Sequence, residues 1–233
     1  MALPFFYLSQ PAPDDLVQLD EDTSRHIVSV LRMENGEELH LTDGKGWLFT
    51  ATVTDAHKKK CTVTIRERKF VERNVGSVGI GISLLKNVSR LEWFLEKATE
   101  LGVAEILPLI CNRTEKQHFR FDRMQQILVS AMLQSQQVWL PLLREPQPIS
   151  QVVTHAVYQQ KWIAHCTDTD KRSLRSEGPR DHAQLLLIGP EGDFTPEEIE
   201  LALSHGFEPV ALGDTRLRSE TAGMTGAVLL CVR

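Results

Sequence analysis

One stretch late in the chain constrains the fold most. "LLLIGPEGDFTPEE", residues 185–198, runs four apolar residues into Gly-Pro-Glu-Gly and then into a helix start. The apolar run reads as a buried strand. Thr195 as N-cap, Pro196 in the first helical position and Glu198 completing a capping box mark the helix, and Gly206 marks its stop. The same rhythm recurs on either side. "IGISLL" (80–85) reads as a strand and 89–102 as a helix, with Ser89 and Glu92 as a capping box and Gly102 as terminator. Leu91, Phe94, Leu95, Ala98 and Leu101 form its apolar stripe, opposite Glu92, Glu96 and Glu100. "VAEILPLI" (103–110), "KWIAHC", "AQLLLIG" and "FEPVALG" read as further strands, and 121–138 and "RSETAGMTGAVLLCV" as helices. The stripe of 121–138 comprises Phe121, Met124, Ile127, Leu128, Ala131 and Val138. Strands alternating with helices predict an α/β domain with a mostly parallel sheet.

The first 70 residues read differently. In "EELHLTDGKGWLFTATVTD" the second run puts Trp47, Phe49, Ala51 and Val53 on one face and Leu48, Thr50, Thr52 and Thr54 on the other. "AHKKK" is a polar turn, after which Cys61, Val63 and Ile65 alternate with Thr62, Thr64 and Arg66. Period 2 with tight turns predicts a small barrel. "SRHIVSVLRMENG" predicts a short helix ended by Asn35-Gly36, and 71–79 a linker.

Composition narrows the class. No apolar run approaches the ~20 residues that span a bilayer. The opening "MALPFFYLSQPAP" lacks a basic start and a long apolar core, which argues against a signal peptide. The four cysteines form no C-x-x-C pair, and His26, His40, His118 and His165 show no ligand-like spacing. They read as ordinary surface or barrel residues, with no metal expected, and a reducing cytoplasm is the expected compartment. The net charge of −5 still permits a local basic patch.

Ligands of open α/β sheets sit at the carboxyl ends of strands. Two Gly-rich loops fall there, "GPEGDFT" and "LGDTRLRSETAG". Neither is a P-loop, "GSVGIG" (76–81) has the wrong glycine order for a dinucleotide turn, and Glu191 and Asp193 would repel phosphate.

"KATELGV" (97–103), "LIGPEGDF" (187–194) and "LGDTRLRSETA" (212–222), with "RHIVSVLRMENGEELHLTDGKG" (25–46), resemble the ribosomal RNA small subunit methyltransferase E family. The resemblance covers essentially the whole chain. It implies S-adenosylmethionine-dependent methylation of N3 of a uridine in 16S ribosomal RNA, on free RNA or the small ribosomal subunit. It also implies a SPOUT-type α/β domain with a trefoil knot at 73–233, the knot near 160–233, and a PUA-like β-barrel at 1–72. The chain departs from the family pattern at three points. Pro4 stands where an Arg often precedes paired aromatics, Gln137 where the second helix often ends in Arg, and Asp193 where "GPEGG" has its last Gly.

The resemblance implies a cofactor pocket of Leu187, Ile188, Gly189, Gly192, Leu212, Gly213, Leu217 and Arg218. Methyl transfer to N3 needs its lone pair, so Arg218 is the candidate for holding the base or its developing charge. Glu220 is the candidate base or an orienter of Arg218; the structural alternative is an Arg–Glu pair at the start of the last helix. Between 58 and 73, seven basic residues face two acidic ones, a local +5. Lys58, Lys59, Lys60, Arg66 and Arg68 are therefore RNA-binding candidates, the alternative being a lysine-protected edge. Lys86, Arg90 and Arg113 are further ones at the mouth of the larger domain. The small residues of the last helix, Ala222, Gly223, Gly226 and Ala227, allow close packing of another backbone; the resemblance implies that this is a homodimer interface, the alternative being packing within one chain. Two competing functions remain: a related SPOUT enzyme acting on another atom, and a non-catalytic RNA-binding protein of ribosome assembly.

Overall fold

The structure, a computed structural model, describes residues 3–9, 14–73, 76–115, 118–177 and 181–232. The linker expected at 71–79 includes residues 74 and 75, outside that set. The chain forms two compact units, one of residues 1–73 with 132–140, the other of 74–131 with 141–233.

The first unit contains β1 (Phe5–Tyr7), β2 (Leu16–Gln18), α1 (Glu21–Arg25), β3 (Glu38–Thr42), β4 (Trp47–Asp55) and β5 (Thr62–Phe70). They form a five-stranded sheet in the order β1-β3-β4-β5-β2. The sheet curls over a core of Leu39, Leu41, Phe49, Ala51, Val53, Cys61, Val63 and Ile65, with Ile27 packed in. The alternation expected of β4 and the first half of β5 is thus the pattern that makes this core. The helix differs from expectation. Asp20 caps α1, the chain continues as a π turn over His26–Val30, and left-handed Arg32 (φ 58°) follows, ahead of Asn35-Gly36. Residues 132–140 dock onto this unit through Leu140 N to Gly44 O (2.9 Å) and Trp139 Nε1 to Val71 O (2.9 Å).

The second unit runs β6 (Val78–Ser83), α2 (Val88–Glu100), β7 (Glu105–Ile110), α3 (Phe121–Gln134, its last turn reaching the first unit), β8 (Leu142–Leu143), β9 (Gln147–Pro148) and α4 (Ile149–His155). It continues with β10 (Gln160–Ala164), β11 (Arg172–Ser173), β12 (Gln184–Ile188), α5 (Pro196–Ser204), β13 (Glu208–Ala211) and α6 (Ser219–Cys231). The sheet order is β11-β13-β10-β12-β6-β7-β8, with β9 also on β7, and every pair is parallel. This is the expected α/β domain. Every residue of β6 and β12 is buried, as strands covered on both faces must be.

Local signals were read with mixed accuracy. The α5 box forms as expected, Thr195 and Glu198 each bonding the other's backbone N–H. At α2, Asn87 caps instead of Ser89, its Oδ1 accepting from Ser89 N at 3.0 Å. α3 ends at Gln134 rather than Val138, because Gln136 takes a left-handed turn (φ 56°). No helix among the described residues is long and apolar enough to cross a membrane.

α6 buries only one face, of Ser219, Glu220, Gly223, Gly226, Ala227 and Leu230. A Cβ on Gly223 would lie 2.7 Å from Phe94 of α2, and one on Gly226 would lie 2.2 Å from Leu186 of β12. These glycines let α6 press onto its own sheet and α2, so the close packing their small size permits is met within the chain. Val228 on the opposite face is 39% exposed.

Candidate active site

The carboxyl ends of β6, β7, β10, β12 and β13 release five loops on one edge of the parallel sheet. The loop after β12 is tied to three of the others. Glu191 Oε1 accepts from Lys86 N (3.1 Å), beyond β6. Arg113, beyond β7, donates to Gly192 O (2.6 Å) and Phe194 O (3.3 Å), and Asn112 N donates to Glu198 Oε1 (2.7 Å). Asp193 Oδ2 accepts from Cys166 N (2.8 Å), beyond β10. The acids that argue against phosphate binding thus hold backbone amides. Asp193 also sits at φ 66°, in the left-handed region a glycine occupies without cost.

Two adjoining hollows open between these loops, of about 310 and 360 Å³. Ala164, Cys166, Arg216, Leu217 and Ala222 line both. Ile188, Gly189, Glu191, Asp193, Arg218 and Ser219 line the first, and His165, Lys171, Leu212 and Gly213 the second. Their combined size suits a small-molecule ligand, and the wall mixes aliphatic side chains with loop backbone.

Six of the eight expected cofactor residues meet here: Ile188, Gly189, Leu212, Gly213, Leu217 and Arg218. The Leu187 side chain lies in the core instead, against Gly81, and Gly192 contributes its carbonyl to Arg113. Arg218 occupies the N-cap of α6 without a side-chain cap bond, and it has no hydrogen-bond or ion-pair partner among the described residues. Glu220 is buried and pairs with Arg90 (3.5 Å), across from α2, rather than with Arg218. Sequence reasoning missed Cys166 and His165. His165, read as an ordinary surface or barrel residue, is buried at the mouth of β10, with Nδ1 against Thr167 Oγ1. Burial lowers its pKa, aided by Lys171 and opposed by Asp193. Its position directly after the strand "KWIA" was the available signal.

The expected RNA-binding residues divide. Lys86 pairs with Glu115 (2.7 Å), which raises its pKa, Arg90 pairs with Glu220 and Arg113 bonds the loop after β12, while Lys86 and Arg113 stay exposed. Lys58, Lys59 and Lys60 are exposed at the tip of the β4–β5 hairpin, Lys59 lying 3.6 Å from Glu21. A bulge at Arg66 separates the pairs Thr50–Glu67 and Ala51–Ile65. Arg66 donates to Thr52, while Arg68 lies over the Phe49 ring (5.5 Å) and bonds Asp15 (3.0 Å). At ~3.3 Å per residue the basic run stretches roughly 30 Å along the hairpin, so the local +5 is not one compact patch.

The sequence model described as an RNA methyltransferase domain matches residues 72–230, and that of an RNA methyltransferase PUA domain matches residues 19–66. The ribosomal RNA small subunit methyltransferase E of Synechocystis sp. is 30% identical over 91% of this chain and 72% of its own length. A probable rRNA-methyltransferase from Porphyromonas gingivalis superposes with a TM-score of 0.89 at 36% identity, covering 97% of this chain and 95% of that one. The ribosomal RNA small subunit methyltransferase E of Neisseria gonorrhoeae, solved bound to S-adenosyl methionine, gives 0.83 at 29% identity, covering 97% and 95%. Resemblance in motif, family match over both units and overall superposition agree: the chain belongs to the ribosomal RNA small subunit methyltransferase E family of RNA methyltransferases.

Proposed function

We propose that this protein methylates N3 of a uridine in the 16S RNA of the small ribosomal subunit, in the cytoplasm, using S-adenosylmethionine held in the paired hollows. The single observation that carries this reading is Arg218: a guanidinium with no partner among the described residues, on the wall of a cofactor-sized hollow, in a chain of this family. The residues fit the cofactor. Ile188, Leu212 and Leu217 offer apolar cover for a planar purine, and the loop backbone at Gly189 and Gly213 can be approached closely. Glu191 and Asp193 are compatible with a cationic ligand and bind loop amides, which leaves little role for a phosphate. When bound, S-adenosylmethionine supplies an electrophilic methyl group on a sulfonium sulfur.

The chain's own residues then have separable tasks. Loss of the N3 proton to solvent water leaves negative charge on the uracil ring and its oxygens, and the N3 lone pair is then free to accept the methyl group. Arg218, exposed on the wall of the hollow, stabilises that charge. Glu220, fixed by Arg90, acts as a positioning residue that anchors the first turn of α6 and so the backbone of Arg218. The exposed lysines of the hairpin tip supply phosphate contacts. The domain boundaries near residue 72 and a chain threading through 160–233 belong to this reading. The threading is supported by β13 pairing outside β10 while α6 returns to β6, β12 and α2. A homodimer formed over the exposed face of α6 completes it.

Purified protein incubated with labelled S-adenosylmethionine and small-subunit RNA should yield labelled 3-methyluridine. Arg218→Ala should lower turnover roughly a hundred-fold, the loss typical of one charge-stabilising donor. Near-normal turnover in that variant would remove Arg218 from the chemistry.

A further inference from the structure

We infer that the first unit carries a base-stacking platform, built from Trp47, Phe70 and Trp139 and flanked by Arg68, Lys69 and Arg73, that takes unpaired bases of the RNA. The inference rests on the RNA methyltransferase reading above and adds a site that the cofactor loops and the lysine tip do not account for.

Trp47 and Phe70 stand directly opposite one another at the end of the β4–β5 ladder. Their ring centroids are 5.2 Å apart, and Phe70 meets Trp139 at 5.9 Å, edge to face at 83°. Trp47 lies nearly parallel to Phe49, 6.3 Å away at 17°. The rings meet because residue 46 is glycine: it takes φ 101°, and a Cβ there would lie 2.5 Å from Trp139 and 2.7 Å from Phe70. Trp47 is nevertheless 39% exposed and Phe70 45%. The Trp47 indole N–H has no hydrogen-bond partner among the described residues.

Cations border the rings. The Arg73 guanidinium lies 5.1 Å from the Trp139 centroid and that of Arg68 lies 5.5 Å from Phe49. Lys69 is exposed opposite Leu48.

Part of this cluster has a plain structural use. Trp139, through its bond to Val71 O, clamps residues 132–140 to the unit. That accounts for Trp139 and for the buried edge of Phe70. It does not account for Trp47, which extends the row of rings, partly exposed and with an indole N–H that has no partner among the described residues. Open aromatic faces bordered by guanidinium groups are how unpaired bases are held: every base has a face that can stack, and the cations meet the backbone. A duplex keeps its bases stacked on each other and gains nothing from such faces. The platform lies at the opposite end of the hairpin from Lys58–Lys60, so the two contributions can be measured apart.

The test compares wild type, Trp47→Leu and Trp47→Phe as full chains. Dissociation constants are measured for a short single-stranded oligouridine and for a duplex RNA of equal length, over a series of salt concentrations. Methyl transfer to small-subunit RNA is measured in parallel. Because Trp47 is partly exposed, both variants should unfold within a few degrees of wild type. Trp47→Leu should weaken oligouridine binding roughly five- to a hundred-fold, leave the salt slope unchanged because no charge is removed, and leave duplex binding untouched. Trp47→Phe should recover most of the loss. Wild-type oligouridine affinity in Trp47→Leu, or an equal loss on duplex, would overturn the platform even while methyl transfer proceeds, leaving the methyltransferase reading intact. Absence of methyl transfer by wild type, with the Trp47→Leu defect still present, would support stacking and sink the methyltransferase reading instead.

Discussion

Asp193 shows at the scale of one residue how a departure in sequence acquires a use. Its left-handed backbone meets the demand a glycine would meet, and its carboxylate adds bonds to Cys166 N and Phe194 N that a glycine cannot make. Glu191 works in the same way toward Lys86. Both acids were legible as poor phosphate ligands, but their amide partners are 27 and 105 residues away in sequence, so the bracing role was not. His165 was missed for the same reason: its environment is assembled by the loops after β10, β12 and β13. That environment, chiefly burial, lowers its pKa and so favours the neutral imidazole. As pH falls below 6.5, the unfolded chain takes up a proton that the folded protein resists. Folding stability from this group is therefore complete above that pH and declines below it. Thermal melts should fall more steeply on the acid side of 6.5 for wild type than for His165→Gln. Parallel profiles would show that His165 contributes nothing to the pH dependence.

At the scale of elements, burial period was the dependable signal and termini were not. The alternation in β4 returned Phe49, Ala51 and Val53 but not Trp47, which is exposed, and the stripe of α2 returned Leu91, Phe94, Leu95 and Ala98 but not Leu101, while Thr99 is buried beside them. Caps were legible where a single candidate existed, as at Thr195, and misassigned at α2, where Asn87 sits two residues ahead of Ser89. The basic run of β5 failed as a spatial cluster because the bulge at Arg66 changes which face the following residues take. α6 divides in function along its length and around its axis. Its glycines serve contacts within the chain, while Val228, with its partly buried neighbours Met224 and Leu229, is exposed on the opposite face, where the proposed homodimer would form. Sedimentation should give twice the 26.4 kDa chain mass, and Val228→Glu should return it to the single-chain value. A wild-type protein sedimenting as one chain would dismiss this face as an interface.

For the whole molecule, alternating strand and helix in the second unit was enough to anticipate an α/β domain, and short period-2 strands in the first to anticipate a small barrel, which takes the form of a curled five-stranded sheet. The return of residues 132–140 to the first unit was not legible, because it depends on Gly44 and Gly46 making room for Leu140 and Trp139 across more than 90 residues of sequence. The candidate site was legible to the extent that glycine-rich loops follow apolar strands; which side chains face the hollow required the sheet order. That order places "GPEGDF" and "LRSETA" on one edge, with Arg218, which has no partner among the described residues, lining the hollow. The central claim, that this edge methylates N3 of a uridine in small-subunit RNA, is tested most directly by mass spectrometry of nucleosides. The measurement compares small-subunit RNA from cells with and without the gene. Loss of 3-methyluridine on deletion, restored by the wild-type gene and not by Arg218→Ala, is the result expected. An unchanged level of 3-methyluridine in the deleted strain would contradict the claim.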